Sequence, residues 1–517
     1  MSQEADRIPV VVGVGDVVSG SAGAAADPVE PMELVLRAVR AALDDSGTSA
    51  LGAAVDAIHA VRTTSWNYDD LPALIAARLG ASAPTRSTST IGGHHPARLM
   101  DRVGHDIAAG RSSVALVVGG ETQASVRALT KAGTDPVELG WAVAPGGPPT
   151  FAPDDLGSAE MQRAGILAPV QIYPLFDRAR ADRLGLRPSE SLTASAELYS
   201  RFSAVAARHP VAWSPVERSP DDIAGVDASN RAVSDCYPLA MNAMPFVDQA
   251  AAVLVCSLAA ARAAGVDEDR IVYLWGGAGA SDALDIMARS TFDHSPALRA
   301  AVRTTLAAAG VAGADLTFVD AYSCFPVVPL LLMDELGLSS DATPTVLGGH
   351  SFFGGPLSSY SLHAVAESTR LLRQSRGGRA PAIAMVHANG GYLTHQHTIL
   401  LSTDPHEAGY VGNPDAVSVS ATAVPVTHGH SGRAIVETAT VMFGRGGEPE
   451  QALVIARTPE GDRIAGRTGA DAAAALHRVV TDRDVSPVGL TIDVVDEGGN
   501  LDITLDSITA NGRGVRA

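Results

Sequence analysis

Four glycine-flanked stretches hold the residues best suited to chemistry. The first is Thr90-Ile91-Gly92-Gly93-His94-His95-Pro96, two imidazoles set just ahead of a proline. The second, Val319-Asp320-Ala321-Tyr322-Ser323-Cys324-Phe325, puts a phenol and a thiol at the end of an apolar run, and the third, Gly348-Gly349-His350-Ser351-Phe352-Phe353-Gly354-Gly355-Pro356, carries a single histidine. The fourth is His387-Ala388-Asn389-Gly390-Gly391. An imidazole moves protons near neutral pH, and a phenol facing a pocket can serve as an acid or base. Each group also has a plainer reading: His94 and His95 cap the helix that Pro96 opens, Tyr322 packs as an aromatic, His350 is a solvated loop residue, and Cys324 is a small core residue.

Other patterns carry less. Gly13-Val14-Gly15 follows a strand, but Val18 stands where a dinucleotide loop needs its third glycine. His395 with His397, and His428 with His430, alternate so that each pair shares one strand face. No third ligand accompanies either pair, so no metal is expected and surface histidines are the reading. The acidic group Asp493, Asp496, Glu497 and Asp502 lacks a calcium-loop pattern and reads as a solvated hairpin.

These residues must be positioned by a large folded chain. Its 517 residues exceed what one core serves, and 46% apolar against 18% charged residues excludes disorder. A net charge of -19 disfavours nucleic acid and anionic membranes, so an anionic ligand needs a local basic patch or helix N-termini. The three cysteines, Cys236, Cys256 and Cys324, are too few for a disulfide framework and fit a reducing cytoplasm. The start of the chain has no signal-like apolar stretch, and the longest apolar run, residues 250 to 261, is far short of the roughly 20 residues that cross a bilayer.

Hydropathy patterning predicts alternating strands and helices. Strands are expected at 10–15, 55–61 and 114–118, with helices at 32–43, 71–79 and 96–109 between them. The order repeats later: a strand at 271–274, a helix at 298–309, a strand at 316–320, a helix at 359–372, and strands at 382–386 and 398–401. A duplicated α/β unit is the economical reading. Its halves are placed at residues 1–120, completed by about 241–266, and at 267–403. Residues 121–240 read as an inserted loop domain with helices near 172–183 and 192–207. Beyond Thr403-Asp404-Pro405 come short alternating segments at 417–426, 434–443, 451–457 and 489–495, separated by glycine-rich turns. They predict an all-β barrel of the oligonucleotide/oligosaccharide-binding (OB) type over 404–517.

Several of these segments, in this order, resemble the thiolase superfamily over residues 8 to 403. They are Ile107-Ala108-Ala109-Gly110 with Ala115 to Thr122, Phe246 to Ala252, the glycine-rich third stretch, and the closing loop at 387–391. Ala206 to Trp213 is similar to the loop region of sterol-carrier-linked thiolases, and Gly432 to Thr438 with Glu448 to Ala452 resembles the added barrel of actinobacterial thiolase-like proteins. The resemblance implies a five-layered αβαβα core, a coenzyme A or acyl-CoA ligand with no tightly bound cofactor, and a role in lipid metabolism. By position in the motifs, Gly93, followed by His94, stands in place of the nucleophilic cysteine. Val319 replaces a water-orienting asparagine, Gly355 the activating histidine, and His387 the second cysteine.

The expectation is therefore a CoA-ester-binding protein without classical acetyl-CoA acetyltransferase activity, its pocket lined by Gly93, His94, Gly348, Gly349, Gly355, Asn389, Gly390 and Gly391. An acyltransferase or retro-aldol lyase using Tyr322, His350 and His387 is the alternative, and a non-catalytic scaffold is a third. A homodimer through the core is expected.

Overall fold

The computed structural model describes residues 5–23, 27–142, 157–378, 380–419 and 423–505. Parts of the inserted region (143–156), of the 417–426 segment and of the C-terminal region (506–517) lie outside the described residues, as do the first four residues.

The core is built twice on one plan. Its strands are β1 (Pro9–Val18), β2 (Ala57–Ala60), β3 (Thr85–Thr88), β4 (Val114–Thr122), β5 (Asp248–Ser257), β6 (Val272–Ser281), β7 (Phe318–Asp320), β8 (Ile383–Gly390), β9 (His395–Ser402) and β10 (Asn413–Ser418). In the first half β1 pairs antiparallel with β5, β5 antiparallel with β4, and β4 parallel with β2. The second half repeats this pattern with β6, β9, β8 and β7 in the same places. β3 extends the first half by one parallel strand, exposed at all four positions.

The halves touch through Val10 opposite Tyr273 and Val11 opposite Val272, then diverge. Divergence opens room for helices between them. The helix His95–Ala108 packs on β4 and β5 from one side and on β6, β8 and β9 from the other, while Tyr360–Gln374 packs on β1, β5 and β8. Outside, Pro31–Asp45 covers β1 and β5, and Pro296–Ala309 covers β6 and β9. Five layers result, α, β, α, β, α, with the two central helices holding the starts of the candidate site. Gly13 and Gly15 belong to this packing: they lie within β1, where a Cβ would strike the Ala42 and Ala38 carbonyl oxygens of the outer helix. Their purpose is close approach of helix to strand.

Divergence also leaves the far end of β6 without β1 as a partner. β10 takes that edge, parallel, with Asn413 opposite Ala278 and Val417 opposite Ala280. The segment beginning at Val417, expected to open the barrel, thus starts on the core sheet, because an unpaired buried edge needs hydrogen bonds.

The barrel itself is closed by β11 (Ser431–Phe443), β12 (Pro449–Arg457), β13 (Arg463–Arg467), β14 (Thr491–Glu497) and β15 (Asn500–Leu505), in the order β11-β12-β13-β15-β14. It is not all β. The helix Ala470–Thr481 buries Ala473, Leu476, Val479 and Val480, and its alanine-rich sequence favours helix over strand. Asp496, expected to be solvated, is buried and accepts from the Gly429 and Gly499 amides at 2.9 and 2.8 Å, pinning the hairpin. Met442, Leu453, Ile455 and Ala465 join the core cluster of the αβαβα body, so barrel and core share one apolar interior. Arg463, fully buried, fastens the join by bonding Glu437 and the Met287 and Arg289 carbonyls. No helix among the described residues is long and apolar enough to cross a membrane.

Candidate functional site

Gly93 sits just before the first central helix. Gly92 ahead of it, at φ 148°, donates its amide to Ser358 Oγ at 3.0 Å, bringing the starts of the two central helices together. A Cβ added at Gly93 would strike the Tyr322 hydroxyl and fall 2.5 Å from the Asn389 carbonyl oxygen. No side chain fits there, whether sulfur or otherwise. His94 follows at the cap position, but its side chain makes no capping hydrogen bond. Its ring lies against Gly390, where a Cβ would strike Nδ1. His95 engages Thr90 Oγ1 at 2.9 Å instead of capping.

Tyr322 links the candidate acid and base groups. Its ring stands 4.2 Å from that of His350, which stacks on Tyr360 at 3.6 Å. Its hydroxyl finds the Leu357 carbonyl only at 3.5 Å, and its amide donates to His387 Nδ1 at 3.3 Å. His350, read from sequence as a solvated loop residue, is buried, accepts from the Ser323 amide at 3.3 Å through Nδ1, and has no partner at Nε2.

His387 begins a closed hydrogen-bond chain. With Nδ1 accepting, Nε2–H donates to Gln396 Oε1 at 2.8 Å; Gln396 Nε2 donates to Asn389 Oδ1 at 2.6 Å. Asn389 Nδ2 then donates to Tyr173 Oη at 2.9 Å, and the Tyr173 hydroxyl to the Gly391 carbonyl at 2.7 Å. Tyr173 comes from the inserted region's helix Pro169–Arg183 and stacks on Phe325 at 4.6 Å. The chain occupies both ring nitrogens of His387, which fixes its tautomer and its place.

Burial sets the protonation of the whole group. It pushes His387 down to about 4 and His350 well below its ordinary value, so both imidazoles are neutral at pH 7. It raises the Tyr322 phenol, and lifts the Cys324 thiol to about 12 even though Tyr173 and Asn389 lie beside it. The thiolate, the reactive form of cysteine, is absent at neutral pH. Two buried carboxylates, one near the end of β4 and one at the end of β7, are both pushed up to about 7 by burial against the pull of their hydrogen bonds. Glu121 accepts from the Thr64 and Ser65 amides, and Asp320 from the Val346 amide and Thr345 hydroxyl.

Of the residues marked by sequence, Gly93, His94, Tyr322, His350, His387, Asn389 and Gly390 form one assembly, with Gly391 tied to it through Tyr173. Three glycines instead face protein. Gly348 backs onto Ala206 and Gly349 onto Phe202, both on the helix Pro188–Ala206, while Gly355 faces the Met244 carbonyl. Sequence reasoning missed Tyr173, Tyr360 and Gln396. Gln396 was within reach, since alternation along β9 turns it away from His395 and His397 and toward His387.

The other flagged histidines also move. His397 is buried with Nε2 at 2.9 Å from Asp101 Oδ2, so it is not a surface residue, whereas His395 stacks on His94 and stays partly exposed. His428 remains exposed, 3.4 Å from Glu160. Among the described residues no group of three or more His, Cys, Asp or Glu side chains is arranged to hold a metal ion. A cavity of about 370 Å³ opens elsewhere, lined by Arg183, His294, Arg299 and Asp334 among others, and includes none of the candidate residues.

Comparison with known proteins identifies this architecture. The family model of the additional C-terminal domain of thiolase-like protein type 1 matches residues 414–499. Among solved structures, the monomeric SCP2-thiolase like protein type 1 of Mycobacterium smegmatis is 30% identical, with 97% of this chain and 100% of that chain covered at a TM-score of 0.80. The Ltp2-ChsH2(DUF35) aldolase, at 18% identity and TM-score 0.57, covers 77% of this chain and 98% of its own. Acat5 thiolase from Ascaris suum in complex with coenzyme A, at 15% and 0.55, covers 76% and 99%. These last two share the fold. None of the curated proteins matches the sequence. The chain belongs to the SCP2-thiolase-like protein type 1 family.

Proposed function

We propose that this protein binds a coenzyme A ester on a thiolase scaffold that has given up classical acetyl-CoA acetyltransferase chemistry, within lipid or fatty-acyl metabolism. The observation that carries the reading is at Gly93. The Tyr322 hydroxyl and Asn389 carbonyl fill the space in which a cysteine would have to hold an acyl group, so a covalent acyl-enzyme has no place to form there. The imidazoles nearby are neutral and hydrogen-bonded or stacked in place, which suits a shaped surface better than a proton relay. What supports ligand binding is a fold shared with a thiolase described in complex with coenzyme A, a fold-level analogy.

Intact-protein mass spectrometry after incubation with acetyl-CoA tests the loss of chemistry. The expected result is an unmodified mass near 53.0 kDa. An acetyl adduct on Cys324 would overturn it. Calorimetry with coenzyme A and acyl-CoA tests binding; no heat at millimolar ligand leaves the scaffold reading in its place.

One observation favours a second reading. The Tyr322 hydroxyl stands where the nucleophile would be, weakly bonded, and burial keeps it protonated; in retro-aldol cleavage of a β-hydroxyacyl-CoA, neutral His350 would take the β-hydroxyl proton as the carbon-carbon bond breaks, Tyr322 would protonate the resulting carbanion, and His350 would then return the proton to Tyr322. Release of an aldehyde or ketone from that substrate, abolished in Tyr322→Phe, supports it; unchanged turnover rejects it. As to assembly, the relative from Mycobacterium smegmatis is described as monomeric, and on that likeness we read this chain as a monomer instead of the expected homodimer. Light scattering giving twice the chain mass would reverse this.

A further inference from the structure

Three imidazoles are stacked at the start of the first central helix. His95 and His94 have ring centroids 4.0 Å apart, and His94 and His395 4.8 Å apart. The first two belong to the helix and its cap, whereas His395 opens β9, so the stack ties the helix to the turn between β8 and β9. Among the described residues His94 Nδ1 has no hydrogen-bond partner, and it lies against Gly390 beside that turn. Besides the pairing of His395 with Gly390 and the His95–Thr90 hydrogen bond, contact between neutral rings joins the three.

The surroundings oppose charge on them. Arg98 faces the stack from the same helix, and Arg289 faces His395 from the loop before the helix Pro296–Ala309. Asp282 and Asp285 face Arg289. The carboxylate on the helix side, Asp101, is engaged by His397 at 2.9 Å and by the Tyr410 hydroxyl. Arg102 turns outward to Asp415 at 3.3 Å. The helix N-terminus adds its own positive end. Burial first, and then these neighbours, push His94 well below its ordinary value, His95 to about 3, and His395 down.

We propose that His95, His94 and His395 form an acid-sensitive latch, which keeps the centre closed at neutral pH and releases the Gly390-Gly391 turn when the imidazoles take up protons. Asn389 is the residue before that turn, and its carbonyl is one of the two atoms filling the space at Gly93. Release would therefore withdraw the Asn389 carbonyl from that space and leave the Tyr322 hydroxyl as its remaining occupant. An imidazole that titrates near 6.5 only when released makes release about twentyfold easier at pH 5 than at pH 7. Two such groups together lower protection by several hundredfold, and three by about ten thousandfold.

Hydrogen exchange of the full chain at pH 7 and pH 5, corrected for the intrinsic pH dependence of exchange, tests this without any ligand. Peptides covering 90–96 and 388–397 are expected to lose several hundredfold or more in protection at pH 5, while a barrel peptide over 451–457 keeps its own. In the variant His94→Phe/His395→Phe, which keeps stacked rings and leaves only His95 to titrate, the loss is expected to shrink to about twentyfold by the same linkage. Equal wild-type protection at both pH values overturns the latch, as does loss spread evenly over the barrel. Should the double variant not fold, the single variant His395→Phe with imidazole NMR titration of wild type gives the same decision: titration of His94 and His395 at ordinary values with both segments still protected rejects the proposal.

Discussion

The two halves of the core have one strand order and two opposite roles at the centre. From the first half come Gly93, which contributes no side chain, and His94. From the second come Tyr322, His350, Tyr360, His387 and Asn389, which fill and brace the space. Duplication thus fixes where the helices start, and the residues at those starts decide whether the space between them is a reaction centre or a packed interior. Here one half vacates and the other occupies.

Restoring the missing side chain is the strongest way to break that division. Gly93→Cys should destabilise the protein by about 3 kcal/mol or more, because the Asn389 carbonyl is backbone and cannot swing aside. Thermal unfolding should show it, with no thiolysis of acetoacetyl-CoA gained. If the second half is what fills the space, Tyr322→Ala should recover part of the loss, seen as coupling in a double-mutant cycle. Additive losses would mean that the two halves do not compete for the same volume.

The pH dependence comes next, and it separates the buried imidazole from the buried carboxylates of both halves. His387, depressed to about 4, contributes stability that is present above its ordinary value near 6.5 and lost as pH falls through 4, about 3 kcal/mol in all. Glu121 and Asp320, raised to about 7, run the other way: their contribution is present below about pH 4 and lost as pH rises through 7. Comparing denaturant unfolding of wild type and His387→Gln between pH 4 and 7 cancels the carboxylates and isolates the imidazole. The variant should lose stability less steeply with acid; parallel curves would show that His387 is not buried neutral. Breaking the chain one link further, Gln396→Leu orphans His387 Nε2–H and Asn389 Oδ1 together, at about 2 kcal/mol.

Much of this was legible in the chain. The apolar spacing of Met32, Val35, Leu36 and Val39 placed the outer helix, and the repeated strand and helix order exposed the duplication. The resemblance put Gly93 in the nucleophile's place from position within a motif alone, and the structure shows that an added Cβ clashes there. What filled the gap was not. Tyr173 reaches the centre from an inserted helix more than two hundred residues away in sequence from Gly391, and no local pattern encodes such a contact. The burial of His350 and His397 was hidden for the same reason, since a loop glycine pair or a strand alternation says which face a residue takes but not what covers it. β10 was misplaced because an alternating segment reads alike in a barrel and at a sheet edge; only the divergence of β1 from β6 decides between them.

The mildest change sharpens the comparison most cleanly, because it sets two glycines of the same motif class against each other. Both Gly93 and Gly355 stand where the resemblance places a catalytic side chain, and both are occupied in this protein by the smallest residue. Their surroundings differ. At Gly355 an added Cβ meets the Met244 carbonyl at 3.2 Å and the Ala243 side chain at 3.6 Å, a contact that a shift of a few tenths of an ångström relieves, whereas at Gly93 it meets a hydroxyl and a carbonyl at clashing distance. Gly355→Ala should therefore change stability by only about 0.5 kcal/mol in either direction, with the methyl's loss of backbone freedom in the unfolded chain offsetting the contact. Gly93→Ala should cost several times that. Equal effects on the melting temperature would mean that the space at Gly93 yields as easily as a loop, and that the second half does not hold the centre shut.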